Sequence, residues 1–220
     1  MFERDYFMRL INQMSVAFGA LMGLKQQGKH EEALQVIDVW MSKELRLRAR
    51  LALGLSDEDL MKMFSSGDRV DAEAIAAIAT CLQEEGDVLA DMGRTAESLP
   101  RLEKALRLIG YVLRTHGPIE GLDLERRMER LTTGPARTEG SASTLRAAWE
   151  WQEHAGRFAD AENSLYDLFD VGDADSAEGL AFYGRLQRLD DDALGVGGLS
   201  HEELGEGIRQ WNNLTKETAS

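Results

Sequence analysis

Four histidines (His30, His116, His154, His201), one cysteine (Cys81) and an acidic run at 170–178 are the side chains whose types could bind a metal or attack a substrate. A metal needs several ligands on one face, and none of these histidines has a second ligand at helical spacing. Read from Asp173, "DADSAE" offers Ala177 in the fifth place of a calcium loop and Glu178 in the sixth, where glycine is required. It reads as an acidic connection between helices. "GVGGLS" at 195–200 completes no phosphate-binding glycine pattern and follows no strand. The pairs Glu84–Glu85 and Glu202–Glu203 diverge by about 100° on a helix, so they read as solvated surface rather than as acid–base partners. Cys81, alone in the apolar context "AAIATCL", excludes an intrachain disulfide and reads as a buried thiol. The expectation is no catalytic residue, no cofactor and no metal ligand.

The bulk composition agrees. With 43% apolar and 29% charged residues the chain is of ordinary globular type, and three prolines among many Ala, Leu, Glu and Arg favour helix. A net charge of −14 disfavours nucleic acid, whose binding depends on cations that neutralise phosphates. Residues 111–220 carry 11 basic and 21 acidic side chains, against 14 and 18 in residues 1–110. The longest nearly apolar run, "SVAFGALMGL", has ten residues, fewer than the 18 or so of a membrane span. With no cleavable leader at "MFERDY", the expected location is the cytoplasm.

Stepping along the chain, helical periodicity dominates. Phe7, Leu10, Ile11, Met14, Phe18, Leu21 and Met22 define a helix over 3–26, and Ala33, Leu34, Ile37, Met41, Leu45 and Leu51 a second from Glu31 to Leu53. Ser56 caps a short third helix through Phe64, and "SSGD" turns the chain. Long helices follow at 70–91 and 95–115, the latter admitting Pro100 only within its first turns, and a shorter one at 119–131. The loop-like "TTGPARTEGSAS" (132–143) separates an N-terminal helical-repeat region, 1–132, from a C-terminal region, 143–220, within one continuous domain. Helices are expected at 143–155, 158–169 and 176–189; "DDDALGVGG" reads as loop, and "SHEE" at 200–203 as a capping box that opens the last helix. No segment alternates with period two, so no sheet is expected.

One pattern repeats: "GKHEEAL" at 28–34, "GRTAESL" at 93–99 and "GRFADAE" at 156–162. Five residues after each glycine stand Ala33, Ser98 and Ala161, and nine after, Ile37, Leu102 and Leu165. A glycine free to take positive φ, then a small side chain where two backbones approach, is what a tight antiparallel helix turn requires. The arrangement resembles the tetratricopeptide repeat, most closely over "CLQEEGDVLADMGRTAESLPRLEKALRLI" (81–109), with Ser98 where that family has alanine. Glycine spacings of 65 and 63 are nearly twice that family's repeat of about 34 residues, so the expected fold is all-α: antiparallel hairpins stacked in a TPR-like, irregular α-solenoid. "DYFMRLINQM" with "GALMGLKQQGKHEEAL", within the first 65 residues, also resembles a bacterial helical-repeat family of unassigned function.

The TPR resemblance implies a concave groove lined by the first helix of each pair. Its positions here are Phe18, Met22 and Lys25, then Gln83, Asp87 and Asp91, then Arg146, Glu150 and Glu153. It implies an interaction or scaffold module that binds a protein or peptide, neutral or basic, without catalysis. The alternatives are self-association through the N-terminal helix, whose Phe2, Tyr6, Phe7, Met8, Met14, Phe18 and Met22 exceed what one hairpin covers, and attachment of that helix to a membrane surface. The latter lacks a cationic face, since Arg4, Arg9 and Lys25 are offset by Glu3 and Asp5.

Overall fold

Thirteen α-helices and one minimal β-hairpin form the described part of the chain. The computed structural model describes residues 2–67 and 69–218, with side chains from 7 to 67 and from 69 to 214. Phe2 and Tyr6, and the charges Glu3, Arg4 and Asp5, therefore lie outside the described side chains, and Asp68 of "SSGD" outside the described residues. Two compact units divide the chain, Met1–Thr144 and Leu145–Ser220.

In the first unit α1 (Phe2–Gln26) and α2 (His30–Trp40) form a pair, and the chain continues through a π-helical turn, Met41–Leu45, to α3 (Ala49–Gly54) and α4 (Asp57–Met63). The single helix expected to reach Leu53 is therefore broken. Its cause is visible in "LRLR": Leu45 and Leu47 are two residues apart, a spacing that puts them on opposite sides of a helix. Arg46 adopts the left-handed conformation (φ 52°), and both leucines are buried. Leu51, which the continuous helix had turned inward, is exposed instead. Ser56 accepts from the Asp59 N–H at 3.0 Å and caps α4 as expected. Where no sheet was expected, Ser65–Ser66 pairs antiparallel with Arg69–Val70 around Gly67. A strand of two residues is too short for alternation to register.

α5 (Ala72–Asp91) is the centre of this unit: Ala74 to Gln83 are buried without interruption, as in a helix covered on every side. Each Ile or Leu so enclosed contributes about 1.5–3 kcal/mol relative to an exposed one. α6 (Thr95–Thr115) lies antiparallel to it and accommodates Pro100 in its second turn. α7 (Leu124–Thr133) packs on both, and α8 (Pro135–Thr138) on α6 and α7. The helix expected at 119–131 thus starts later, after Gly117 and Gly121 turn with positive φ and Asp123 (φ 51°) enters in the left-handed conformation. The expected loop 132–143 is partly helical, because Pro135 fills the first position of α8, where no N–H is needed.

α9 (Ala142–His154) spans the boundary between the units, and α10 (Phe158–Asp170), α11 (Ser176–Leu186), α12 (Asp191–Val196) and α13 (His201–Thr218) complete the second. α12 replaces an expected loop: Asp190 accepts from the Ala193 N–H at 2.8 Å and starts it. Asp175 and Glu178 cap α11 reciprocally, and Ser200 and Glu203 do so at α13. The core collects Trp149, Leu165, Phe182, Tyr183 and Trp211, with Phe169 and Tyr166 edge-on to Trp211 at 5.0 and 5.4 Å.

The three repeated glycines close their helices in one geometry. Gly28, Gly93 and Gly156 have φ of 71°, 73° and 71°. In each, the glycine N–H bonds back three residues, to Lys25, Ala90 or Glu153, and the next N–H bonds back five, to Leu24, Leu89 or Gln152. This is the Schellman turn, which satisfies carbonyls that the helix end would otherwise leave unpaired. Ala33, Ser98 and Ala161 are buried at the closest approach, and so are Ile37, Leu102 and Leu165 one turn further on. Gly172 and Gly198 make the same pair of bonds in segments that read as plain loops.

Candidate functional site

Of the groove positions implied by the repeat, five meet at one seam, where Gln83 is buried, Phe18, Lys25 and Asp87 are half-buried and Asp91 is exposed. Gln83, Asp87 and Asp91 lie along one stripe of α5, and α7 is laid over the first two. Arg127 donates through Nη1 to Glu84 Oε1 at 2.9 Å and Gln83 Oε1 at 3.1 Å, and through Nε to the Leu122 carbonyl at 3.1 Å. Arg130 Nη2 bonds Asp87 Oδ2 at 2.5 Å. The Arg127 guanidinium also stands 5.8 Å from the Phe18 ring centroid, and Lys25 Nζ is 2.8 Å from Asp91 Oδ2. Gln83 is buried, and burial pushes the Asp87 carboxyl upward against the opposing pull of Arg130. Met22 remains exposed on α1.

The other three lie in the second unit. Arg146 binds Asp173 Oδ2 at 2.8 Å and Glu178 Oε1 at 2.7 Å and stands 5.8 Å from the Trp149 ring centroid. These are two acids of the run that resembles a calcium loop, and its role is to hold this arginine. Glu153 accepts from Arg185 at 2.5 and 2.8 Å, and Glu150 is half-buried. Glu84 and Glu85 diverge as expected but are not solvated: Glu85 is buried against Arg101 Nε at 2.9 Å, and Glu84 against Arg127. Desolvation raises the Glu85 carboxyl above its usual range despite Arg101.

The open concavity lies elsewhere, between α1 and α2. About 760 Å³ in volume, it is bounded on α1 by Asn12, Gln13, Val16, Ala17 and Leu24. On α2 and the π turn it is bounded by Glu32, Gln35, Val36, Val39, Trp40, Lys43 and Glu44. The core-facing residues of these helices are Phe7, Leu10, Ile11, Met14 and Leu21, and Ala33, Ile37 and Trp40, and of these Trp40 alone also borders the groove. Periodicity points to the core stripes, so the second, shorter apolar stripe of Val16, Val36 and Val39 escapes it. Val16 is 76% and Val39 64% exposed, so the groove is apolar and uncovered in the single chain. Trp40 forms part of its floor, its Nε1 buried without an acceptor.

The neighbouring α1 surface is apolar too. Phe7–Gln26 is long and apolar enough to cross a membrane, with a mean hydropathy of 1.2 and 28% of the span buried. The run of ten residues understated this, because Asn12 and Gln13 end it while Phe7, Leu10, Ile11 and Met14 beyond or beside them keep the average of the longer span high. Such a span suits a partly covered packing helix as well as a lipid-facing one.

A polar cleft of about 460 Å³ is built around α6. Asp57 receives Arg107 Nε at 2.6 Å and Lys104 Nζ at 3.4 Å, and Lys104 also bonds the Leu55 carbonyl. Burial lowers the Lys104 ammonium against the support of Asp57. Glu103 accepts from the Ser141 N–H at 2.5 Å and Thr144 Oγ1 at 3.0 Å. Every charge here is matched inside the chain, so the cleft fastens α4 and the segment before α9 to α6. Cys81 is fully buried, and desolvation first, then Glu85 and Glu84, pushes its thiol well up, away from the reactive thiolate. Among the described residues no three His, Cys, Asp or Glu converge as metal ligands.

The chain belongs to the family described as Family of unknown function (DUF6483), which matches residues 1–216 and so extends far beyond the N-terminal 65. No curated protein and no solved structure matches it.

Proposed function

We propose that this protein is an interaction module of TPR-like helical-hairpin type, working in the cytoplasm by binding rather than catalysis. A helix or extended peptide is its ligand, held in the groove between α1 and α2. The observation that carries the reading is that groove: an apolar trough of about 760 Å³, with Val16 and Val39 standing uncovered on its two walls. Apolar anchors at i, i+3 and i+4 of an amphipathic helix fit such a trough. The TPR-like description rests on the three identical glycine turns with a small buried residue five positions on.

A photo-activated cross-linking residue at position 39 tests it in the native cell, with the same residue at the 90% exposed Val196 as control. Discrete adducts at 39 that are absent at 196 support the groove. Equal labelling at both positions removes it. The positions first implied, Asp87 and Glu150, serve as a second comparison, and stronger adducts there than at 39 return the binding face to the α5 and α9 stripes.

A further inference from the structure

We infer that the occupant of the α1–α2 groove is α2 of a second copy of this chain, laid antiparallel about a two-fold axis; this rests on the reading of the groove as a helix-binding site. The argument is a symmetry in the groove wall. On α2 and its π turn the wall presents Glu32, Val36, Val39 and Lys43, spaced four, three and four residues. That order is self-complementary when reversed. An antiparallel copy centred between Ile37 and Asp38 sets Val36 against Val39 twice at the axis and Glu32 against Lys43 twice at the ends. Glu32 and Lys43 are about 16 Å apart along the helix, so the two charge pairs flank an apolar centre. Among the described residues the partners of these charges are local: the exposed Lys29 at 3.8 Å for Glu32, and the half-buried Glu44 at 3.2 Å for Lys43.

The same register sets Gln35 against the aromatic wall of Trp40, and it brings Glu44 to Glu31 at each outer end, a like-charge contact that the two Glu32–Lys43 pairs must outweigh. A parallel mate would bring Glu32 to Glu32 and Lys43 to Lys43, which like-charge repulsion disfavours. An isologous contact of this kind closes on itself and gives a dimer rather than a filament. On α1 the mate meets Val16 and Ala17, and the outer face beside them carries Gly19 and Gly23, at which an added Cβ would find open space. A neighbouring backbone can therefore come close.

The test is sedimentation equilibrium of the full chain over a concentration series to about 100 μM, the range in which a small interface associates. The expected wild-type mass is that of two chains at the upper end. Glu32→Lys and Lys43→Glu, both at exposed positions, each weaken association at least tenfold, because two attractive pairs per dimer become repulsive. The double variant Glu32→Lys/Lys43→Glu restores it to within about threefold of wild type, and Val39→Asp abolishes it. Circular dichroism melts like that of wild type verify that each variant is folded. A monomer throughout, a dimer untouched by either single charge change, or a double variant no better than the singles overturns the inference. The photo-adduct at position 39 separates this failure from that of the groove: an adduct with a different protein leaves the groove in place and removes the second copy, whereas no adduct removes both.

Discussion

Arg127→Met is the most informative single change, because Arg127 is where α7 is fastened over α5. Its side chain is 16% exposed and that of Glu84 15%, so the pair lies between two known limits. Exposed pairs contribute about 0–1 kcal/mol, whereas breaking a fully buried one costs about 3–5 kcal/mol. Methionine keeps most of the aliphatic volume but leaves the Glu84 carboxylate, the Gln83 oxygen and the Leu122 carbonyl without their donor. With partial access of water to Glu84, the expected cost is about 2–3 kcal/mol. Native-state hydrogen exchange reads this directly: amides of α5 and α7 should exchange roughly thirty to 150 times faster. Glu84→Gln added to Arg127→Met should cost less than the sum of the two, with a coupling of about 1–2 kcal/mol. A loss below about 0.5 kcal/mol, or additive effects, would show that apolar packing alone holds α7 and that the arginine is incidental.

Further tests address the turns, the core, acidity and the groove. Gly93→Ala meets open space but must hold φ of 73°, so about 1 kcal/mol of stability is expected to be lost in urea titrations, with no change in secondary structure. Gly179→Ala is far worse, because its Cβ would sit 2.0 Å from Cε2 of the fully buried Trp211; loss of cooperative near-ultraviolet signal from the second unit is expected, and a variant as stable as wild type refutes the packing. At Glu103 burial would raise the carboxyl, but the bonds from Ser141 and Thr144 and the charge of Arg107 outweigh it, so the folded pKa is lowered. Its contribution is therefore complete above the ordinary carboxylate range and lost as pH falls through the lowered value, and Glu103→Gln should flatten that part of the stability–pH curve. Val16→Asp, at a position 76% exposed, should leave the melting temperature unchanged while removing adducts at position 39; a large drop in melting temperature would mean that Val16 packs within the chain.

Much of the fold was legible because local signals and tertiary packing agree there. The glycine turns announce themselves by type and spacing, and Ala33, Ser98 and Ala161 fall where two backbones meet. The breaks in agreement have local causes. Leu45 and Leu47 flank a left-handed Arg46 that no propensity favours; the burial of both leucines holds it there, with the Arg46 and Leu47 N–H groups bonded to the Met41 carbonyl. α8 and α12 are four and six residues long, too short for periodicity to separate from loop, though Pro135 and Asp190 were their start signals.

The groove implied by the repeat is the harder case, and α7 explains why. Repeat geometry assigns the inner stripe of α5 to a ligand, yet in this chain a helix inserted between hairpins takes that place. The signal lies in "LERRMERL": Leu124, Met128 and Leu131 form its buried stripe, and Arg127 and Arg130 lie beside that stripe, where long side chains reach across a seam. Three acids or amides on α5, Gln83, Glu84 and Asp87, await them at matching intervals. Spacings of nearly two repeats between the glycines are what leave room for such inserted helices. Once α7 fills the inner stripe, the apolar groove that stays open in the first unit is the one between α1 and α2. Val16 and Val39 stand exposed there with Val36 beside them, the apolar lining that the proposed helix ligand would cover.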